Sequence, residues 1–521
     1  MNRCSGPLNA LVVAVCIAVP AHAKRVDVRS AAELSSAISA AQAGDEIVLA
    51  DGVYSAKGFT CSAHGTKSAP IRVRAANPGQ ASMRFTGAEG FRVTGPHWQF
   101  SHLIIEGACA PSSGCEHAFH VTGDARGFVL ADSQVIDFNA QLKVNAEPRA
   151  GAPHAIPHGG LIERNEIFDR APRPTSSPVT KLNIDTGDDW IVRDNYLHDF
   201  QKGAGDQVSY AAFMKSGGQR GVFERNLVIC SSLHTGGTRL GLSFGGGGTA
   251  PEYCSPGFAS NVPCDVEHRG GALRNNVIVN CSDVGIYLNR AAETLVSHNT
   301  LIATQGIDFR FATTSGTARA NVLTGAIRER DGGQFADENN RTGVTLASFE
   351  AWYREPLTGD MRVDGSPGSL SDGSTAEIAD DACGLTRGSP PFDIGAIEHA
   401  QGGCKLWPKT ASAAGGSPGT GGAGNEGARA GTSASGGAGA APNSGGPGED
   451  ANLAGATGNN EGGAGSLASR APGAAQGTSK GSGCAIARAP ERWSAWLVSL
   501  AFCLGLARRT RARVARSCGC P

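Results

Sequence analysis

The chain has 521 residues and 73 glycines, and 23 of those glycines fall within residues 411–484, so a folded portion and a glycine-rich tail of different physics are expected. Aromatic residues make up 6%. A net charge of -1 with a pI near 6.9 excludes a nucleic-acid binder that relies on a basic field.

In chain order, Arg3, an apolar stretch over residues 8–19 and Ala21-His22-Ala23 read as a secretory leader over residues 1–23, with an apolar run too short to span a bilayer. Ser30-Ala31-Ala32-Glu33 is a capping box, followed by Leu34 and Ile38 at helical spacing. It predicts a short amphipathic helix over residues 31–41. Residues 45–54 then read as the first strand and turn, and Ile71-Arg72-Val73-Arg74-Ala75 and Phe91-Arg92-Val93 as further strands.

One phrase recurs beyond this point: polar or charged residues, then Asn, then alternating apolar residues. It appears as Glu163-Arg164-Asn165-Glu166-Ile167, Arg193-Asp194-Asn195-Tyr196-Leu197, Glu224-Arg225-Asn226-Leu227-Val228, Arg274-Asn275-Asn276-Val277-Ile278, Ser297-His298-Asn299-Thr300-Leu301 and Arg319-Ala320-Asn321-Val322-Leu323. The asparagines are 30, 31, 50, 23 and 22 positions apart. Each interval holds two or three short strands, too few to bury their own apolar side, so identical coils must stack. The expected fold is therefore all-β: a right-handed parallel β-helix over residues 24–404, plugged by the N-terminal helix, with an insertion over residues 246–270 in the long interval. The asparagines are expected at the bends in the left-handed region, hydrogen-bonded to their stacked copies.

The opening residues, a helix, then Ala43-Gly44-Asp45 through Tyr54, then Pro70-Ile71-Arg72-Val73-Arg74-Ala75, resemble the chondroitinase B and alginate lyase group of secreted polysaccharide lyases. Pectate-lyase-like β-helices share the Asn-apolar phrase and finish with a stretch similar to Phe392-Asp393-Ile394-Gly395-Ala396-Ile397-Glu398. In the lyase group a Lys followed by Ser is the base and an Arg on the next coil assists. The resemblance implies these roles for Lys215, before Ser216, and for Arg239. It also implies calcium held by two glutamates seven and five positions before that lysine, where this chain has Val208 and Tyr210. The usual calcium ligands are thus missing, and no metal ligand is assigned. No cysteine pair has zinc-finger spacing.

Register gives a second route to the site. Asp185 lies 10 before Asn195, Lys215 lies 11 before Asn226, Asn289 lies 10 before Asn299 and Arg310 lies 11 before Asn321. These four should stack on one face, with the coil of Arg239 between Lys215 and Asn289. Five coils at about 4.8 Å form a polar stripe of roughly 19 Å, the shape of a polysaccharide groove. Asp185, Asn289 and Arg310 are the expected substrate contacts, together with His268 from the insertion that walls the groove. Asp185-Thr186-Gly187-Asp188-Asp189 also raises hydrolysis by paired carboxylates.

Of 15 cysteines, two lie in the leader and four in the tail, leaving nine and at most four bridges. Spacing favours Cys109 with Cys115 and Cys254 with Cys264, while Cys230 and Cys281 meet across neighbouring repeats. Cys383 with Cys404 then leaves Cys61 unpaired. Residues 405–484 are expected to be a disordered linker. Over residues 485–521, an apolar segment at 493–507 and Arg508, Arg509, Arg511, Arg513 and Arg516 follow Cys484. That arrangement resembles the C-terminal sorting signals of myxobacterial surface proteins, which implies a bacterial protein held at the cell envelope. The functional expectation is a secreted or surface-anchored monomeric lyase acting on an anionic, uronate-containing polysaccharide. The alternatives are a non-catalytic carbohydrate-binding surface protein and a glycoside hydrolase.

Overall fold

The structure is a computed structural model that describes residues 23–246, 254, 264–368, 370 and 378–408. The expected leader up to residue 22, most of the insertion and the whole tail from residue 409 lie outside the described residues.

Three parallel sheets run the length of the molecule, of 12, 10 and 10 strands among the described residues. Each coil gives one strand to each sheet in turn, as in Ile191–Arg193, Tyr196–His198 and Val208–Met214. The first sheet runs from Arg25–Val28 to Ala336–Glu338, the second from Gly52–Ala56 to Val322–Leu323, and the third from Phe59–Cys61 to Ala326–Arg330. Every pairing between these sheets' strands is parallel, and the fold is the right-handed parallel β-helix that the repeat predicts. The stack begins earlier than expected: Arg25–Val28 is the first strand and pairs with Glu46–Leu49. Residues just after the expected leader thus cover an edge that would otherwise be open.

Alternation along the strands sends one side chain in two to a common interior. Phe59, Phe91, Phe119, Leu142, Leu182, Ala212, Leu242, Ile286 and Ile307 share one register row of the third sheet, and all are buried. The rings of Phe59, Phe91 and Phe119 stack at 5.6 and 5.3 Å. The helix Ala31–Ala40 plugs the N-terminal end with Leu34 and Ile38 buried. Ser30 caps it by accepting from Glu33 N, and Glu33 reaches back to Arg29 N rather than to Ser30 N.

The parallel stack ends at Ala336–Glu338, short of the expected residue 404. The described residues of 346–408 form a short helix, Leu346–Trp352, an antiparallel pair, Tyr353–Glu355 with Asp360–Val363, and loops. Phe349, Tyr353, Met361, Ile394 and Ile397 pack on Leu227, Ile229, Val277, Val279 and Ile302. Those are the outward residues of the second sheet, which explains why Leu227-Val228-Ile229 is apolar throughout instead of alternating.

The six asparagines form one internal ladder. Each carboxamide oxygen accepts from the backbone N–H and the side-chain amide of the asparagine one coil before it, from Asn165 through Asn195, Asn226, Asn276 and Asn299 to Asn321. Asn340 continues it. The left-handed conformation, however, belongs to the residue before each asparagine: Arg164, Asp194, Arg225, Asn275, His298 and Ala320 have φ of 50–56°. The bend is made one residue early, and the asparagine itself turns inward to satisfy it.

All four expected disulfides are present, Cys109–Cys115, Cys230–Cys281, Cys254–Cys264 and Cys383–Cys404, and Cys61 is free and buried.

Candidate active site

The outward face of the third sheet carries the candidate site. Met214 pairs with Ile184 and Phe244, so Lys215 follows directly alongside Asp185, and its N–H donates to Ile184 O. Gly245 N–H donates to Met214 O and stands next in the row, before Asn289, Arg310 and Arg330. The register thus brings Asp185, Lys215, Asn289 and Arg310 into one row. Gly245 occupies the coil between Lys215 and Asn289. It has φ +72°, and a Cβ there would lie 1.9 Å from Asn289 O. Only glycine fits, and the row therefore has a side-chain gap directly beside Lys215.

Lys215 is 5% exposed, and its Nζ lies 3.6 Å from Asp185 Oδ1 and 5.0 Å from the Phe213 ring centroid. Lys143 Nζ reaches over from the preceding coil to Asp185 Oδ2 at 2.9 Å and Asn183 Oδ1 at 3.2 Å. The Ser216 hydroxyl donates to Asp185 Oδ1. One buried carboxylate thus anchors two ammonium groups and a hydroxyl. Burial pushes the Asp185 carboxyl up, but Lys215, Lys143 and the Ser216 hydrogen bond outweigh it and hold it below the ordinary carboxylate range. For Lys215 burial dominates: with the repulsion of Lys143 it exceeds the attraction of Asp185 and Glu267, and the ammonium is held below the ordinary lysine range.

Glu267, 3% exposed, closes the other side of this turn. Its carboxylate accepts from Ser216 N at 2.9 Å, and its backbone joins Gly217 and Arg290. Burial raises its pKa to about 7. Residue spacing concealed both Glu267 and Lys143. Glu267 lies within the expected insertion, with no place in the count, and Lys143 precedes a long loop that places it 22 positions before Asn165, outside the 10–11 rule.

Three expected assignments are corrected. Arg239 pairs with Ser209 at the start of its strand, so it is not in the Lys215 row. It is 2% exposed, and its guanidinium donates to the carbonyls of Cys230, His234 and Gly236. It pins the 230–236 loop and is buried beneath it. His268 is a corner of the stack: it is fully buried, its ring lies 4.1 Å from that of Phe244, and Nε2 accepts from Gly221 N–H. Burial lowers its pKa to about 3. Asp185 is buried with both oxygens engaged by protein groups, and it positions the lysines. Asn289 and Arg310 are partly exposed in the row; Arg310 is held by Asp331 at 2.6 Å and by Tyr287 Oη at 2.9 Å.

A hydrolytic carboxylate pair is not assembled: Asp188 and Asp189 both pair with Arg220 at the surface, while Asp185 is locked between lysines. The calcium that the resemblance implies does not fit these residues. Val208 and Tyr210 supply no carboxylate and pack in an apolar cluster with Leu240, Val284 and Tyr287. Among the described residues, one group of three possible metal ligands comes together elsewhere on this face, Glu89, His117 and His120.

Comparison with known proteins matches the chondroitinase B family to residues 28–135. The matched segment ends before Asp185 and Lys215. No curated protein matches the chain by sequence. Among solved structures, pectate lyase Pel9A is similar at 15% identity and a TM-score of 0.49, covering 72% of this chain and 96% of that one. An alginate lyase from Paenibacillus sp. str. FPU-7 is similar at 14% identity and a TM-score of 0.35, with coverage of 61% and 95%. A PL6 family polysaccharide lyase from Pseudopedobacter saltans is similar at 12% identity and a TM-score of 0.36, with coverage of 66% and 97%.

Proposed function

We propose that the protein is an exported polysaccharide lyase that cleaves a uronate-containing chain by β-elimination, with Lys215 as the base. The observation that carries this reading is the Lys215 environment: an ammonium group buried on the outward face of the third sheet, beside a second ammonium, with its pKa lowered. A lysine can take a carbon-bound proton only from its neutral form, and burial next to another cation favours that form. Lys215 Nζ takes the C5 proton, the electron pair forms the C4–C5 double bond, the C4–O4 bond breaks, and the leaving oxygen gains a proton from water in the open groove. Negative charge developing at C5 spreads into the uronate carboxylate, which needs a cation. Lys143, on the same carboxylate as Lys215, and Arg290, which follows Asn289 and whose charge acts on Glu267, are the cations assigned to it in place of Arg239. Asn289 and Arg310 extend the contact with a sugar chain along the row. The family match over residues 28–135 and the four disulfides support a secreted lyase.

The test is incubation with a panel of uronate polysaccharides, following the ultraviolet absorbance of the unsaturated product. Absorbance that grows with wild type and is lost in Lys215→Ala supports the proposal. Reducing ends released without absorbance would make the protein a hydrolase, and binding without any cleavage would make it a carbohydrate-binding module.

A further inference from the structure

Glu89, His117 and His120 lie on the same sheet as Lys215, three strand spacings away, or about 14 Å along the groove. Glu89 and His117 are register neighbours on adjacent coils, and His120 stands three residues further on. Their hydrogen bonds leave an imbalance. Asn145 Nδ2 donates to Ala146 O, which fixes its Oδ1 toward His120 Nε2 at 2.7 Å. His120 Nε2 must therefore carry a hydrogen. Its Nδ1, in the neutral ring, then presents a lone pair to Glu89 Oε1 only 2.6 Å away. His117 Nδ1 lies 3.9 Å from the same oxygen and has no hydrogen-bond partner among the described residues. Two imidazole nitrogens and a carboxylate oxygen thus converge, with at most a ring hydrogen on His117 Nδ1, 3.9 Å from the carboxylate, to bridge them, and a cation would hold them together. One candidate is a proton on His120; the other is a metal ion.

We propose that Glu89, His117 and His120 bind a divalent ion of the zinc class. Two imidazole nitrogens and one carboxylate oxygen suit a borderline ion better than calcium, which prefers six or more oxygens. One ligand atom from each of the three residues lies within 4.8 Å of the others, close enough for small movements to close on one ion. The Asn145–His120 hydrogen bond is the outer contact that commonly orients a metal-binding histidine. The neighbouring cations do not close the site: Arg92 is exposed, and Lys143 is drawn to Asp185. The three side chains keep 15–32% exposure, so an ion would retain positions open to the groove. If the lyase reading holds, those positions fit a carboxylate oxygen of the same polymer a few sugars from Lys215. Metal binding itself does not depend on that reading.

The test is titration of the chelator-stripped full chain with cobalt(II), followed by displacement with zinc. One equivalent bound with visible absorption bands of a low-symmetry site is expected. Glu89→Gln and His120→Ala should each weaken binding by about tenfold or more, while Lys215→Ala should leave it unchanged. No cobalt bands in wild type, with His120 protonated at neutral pH by NMR, would overturn the proposal in favour of an imidazolium–carboxylate pair. Equal binding by wild type and a folded His117→Ala/His120→Ala double variant would overturn it as well. Where a variant does not fold, the wild-type titration decides.

Discussion

Two rows of side chains run along this solenoid under the same register, and they differ in kind. The Asn165–Asn340 row repeats one residue at every coil, is buried, and is satisfied by its own copies. The row on the third sheet changes at every coil: Asn145, Asp185, Lys215, Gly245, Asn289, Arg310. A repeated residue serves the repeat, because each copy solves the same problem of an unpaired bend. A varied row on the same scaffold solves no common structural problem, so its members are free to be selected for a ligand. Lys215 shows the consequence: its contacts are with unlike groups on both sides, and they adjust its charge.

The sharpest break between the rows is functional. Lys215→Ala should lower turnover by about a thousandfold or more, while Lys143 continues to neutralise Asp185 and limits the loss of stability. Because the neutral amine is the active form, the wild-type rate should rise with pH and level off below the ordinary lysine range. A rate independent of pH up to that range would remove Lys215 from the role of base.

Arg239→Ala probes the correction. It strips donors from buried loop carbonyls and should cost about 2–4 kcal/mol in denaturant unfolding, with kcat/KM of the folded enzyme nearly unchanged. A selective loss of turnover at full stability would return Arg239 to the site. For the structural row, Asn226→Ala leaves its neighbours in the ladder unsatisfied and should cost about 2–3 kcal/mol, again without a specific effect on rate.

The smallest effect is in the pH dependence of stability. His268 and His298 are buried with pKa values lowered from 6.5 to about 3. Between those values the unfolded chain binds more protons than the native one, so their contribution is full above about pH 6.5 and is lost as pH falls toward 3. Glu267 opposes this between 4.5 and about 7, where the native state holds the extra proton, and so does His198, where Asp199 and Glu166 outweigh burial; but His97 and His117, lowered by burial, act in the same direction as His268 and His298. Melting temperature should thus drop by a few degrees from pH 7 to 5, and His268→Phe should flatten that limb. An unchanged slope in the variant would mean that His268 titrates normally.

Much of the fold was legible in the sequence. The Asn spacing announced the coils, the alternation gave strands such as Ile71–Ala75, and the capping box placed the first helix. Disulfide partners followed from spacing because neighbouring coils bring Cys230 and Cys281 together. The candidate site was legible only where the run from the row to the coil's asparagine is constant at 10 or 11 residues. Counting back from each asparagine placed Asp185, Lys215, Asn289 and Arg310 in one row, but missed Lys143 and Glu267, whose coils carry a loop and an insertion. It also placed Arg239 by its coil without fixing its position within the strand, and that position decides whether the side chain faces the groove or the loop beneath it.

The sequence by itself therefore determined what depends on short-range periodicity: a stack of parallel strands, its interior, and the ladder that holds its bends. Tertiary structure decided what depends on contacts between coils of unequal length. It set two lysines on one carboxylate, buried His268 against Phe244, turned Arg239 inward, and brought Glu89 to His117 and His120. The physical reason is that a strand's pattern is set by its own backbone. The charge and hydrogen-bond state of a side chain is set by neighbours about 4.8 Å away that lie tens of residues distant along the chain.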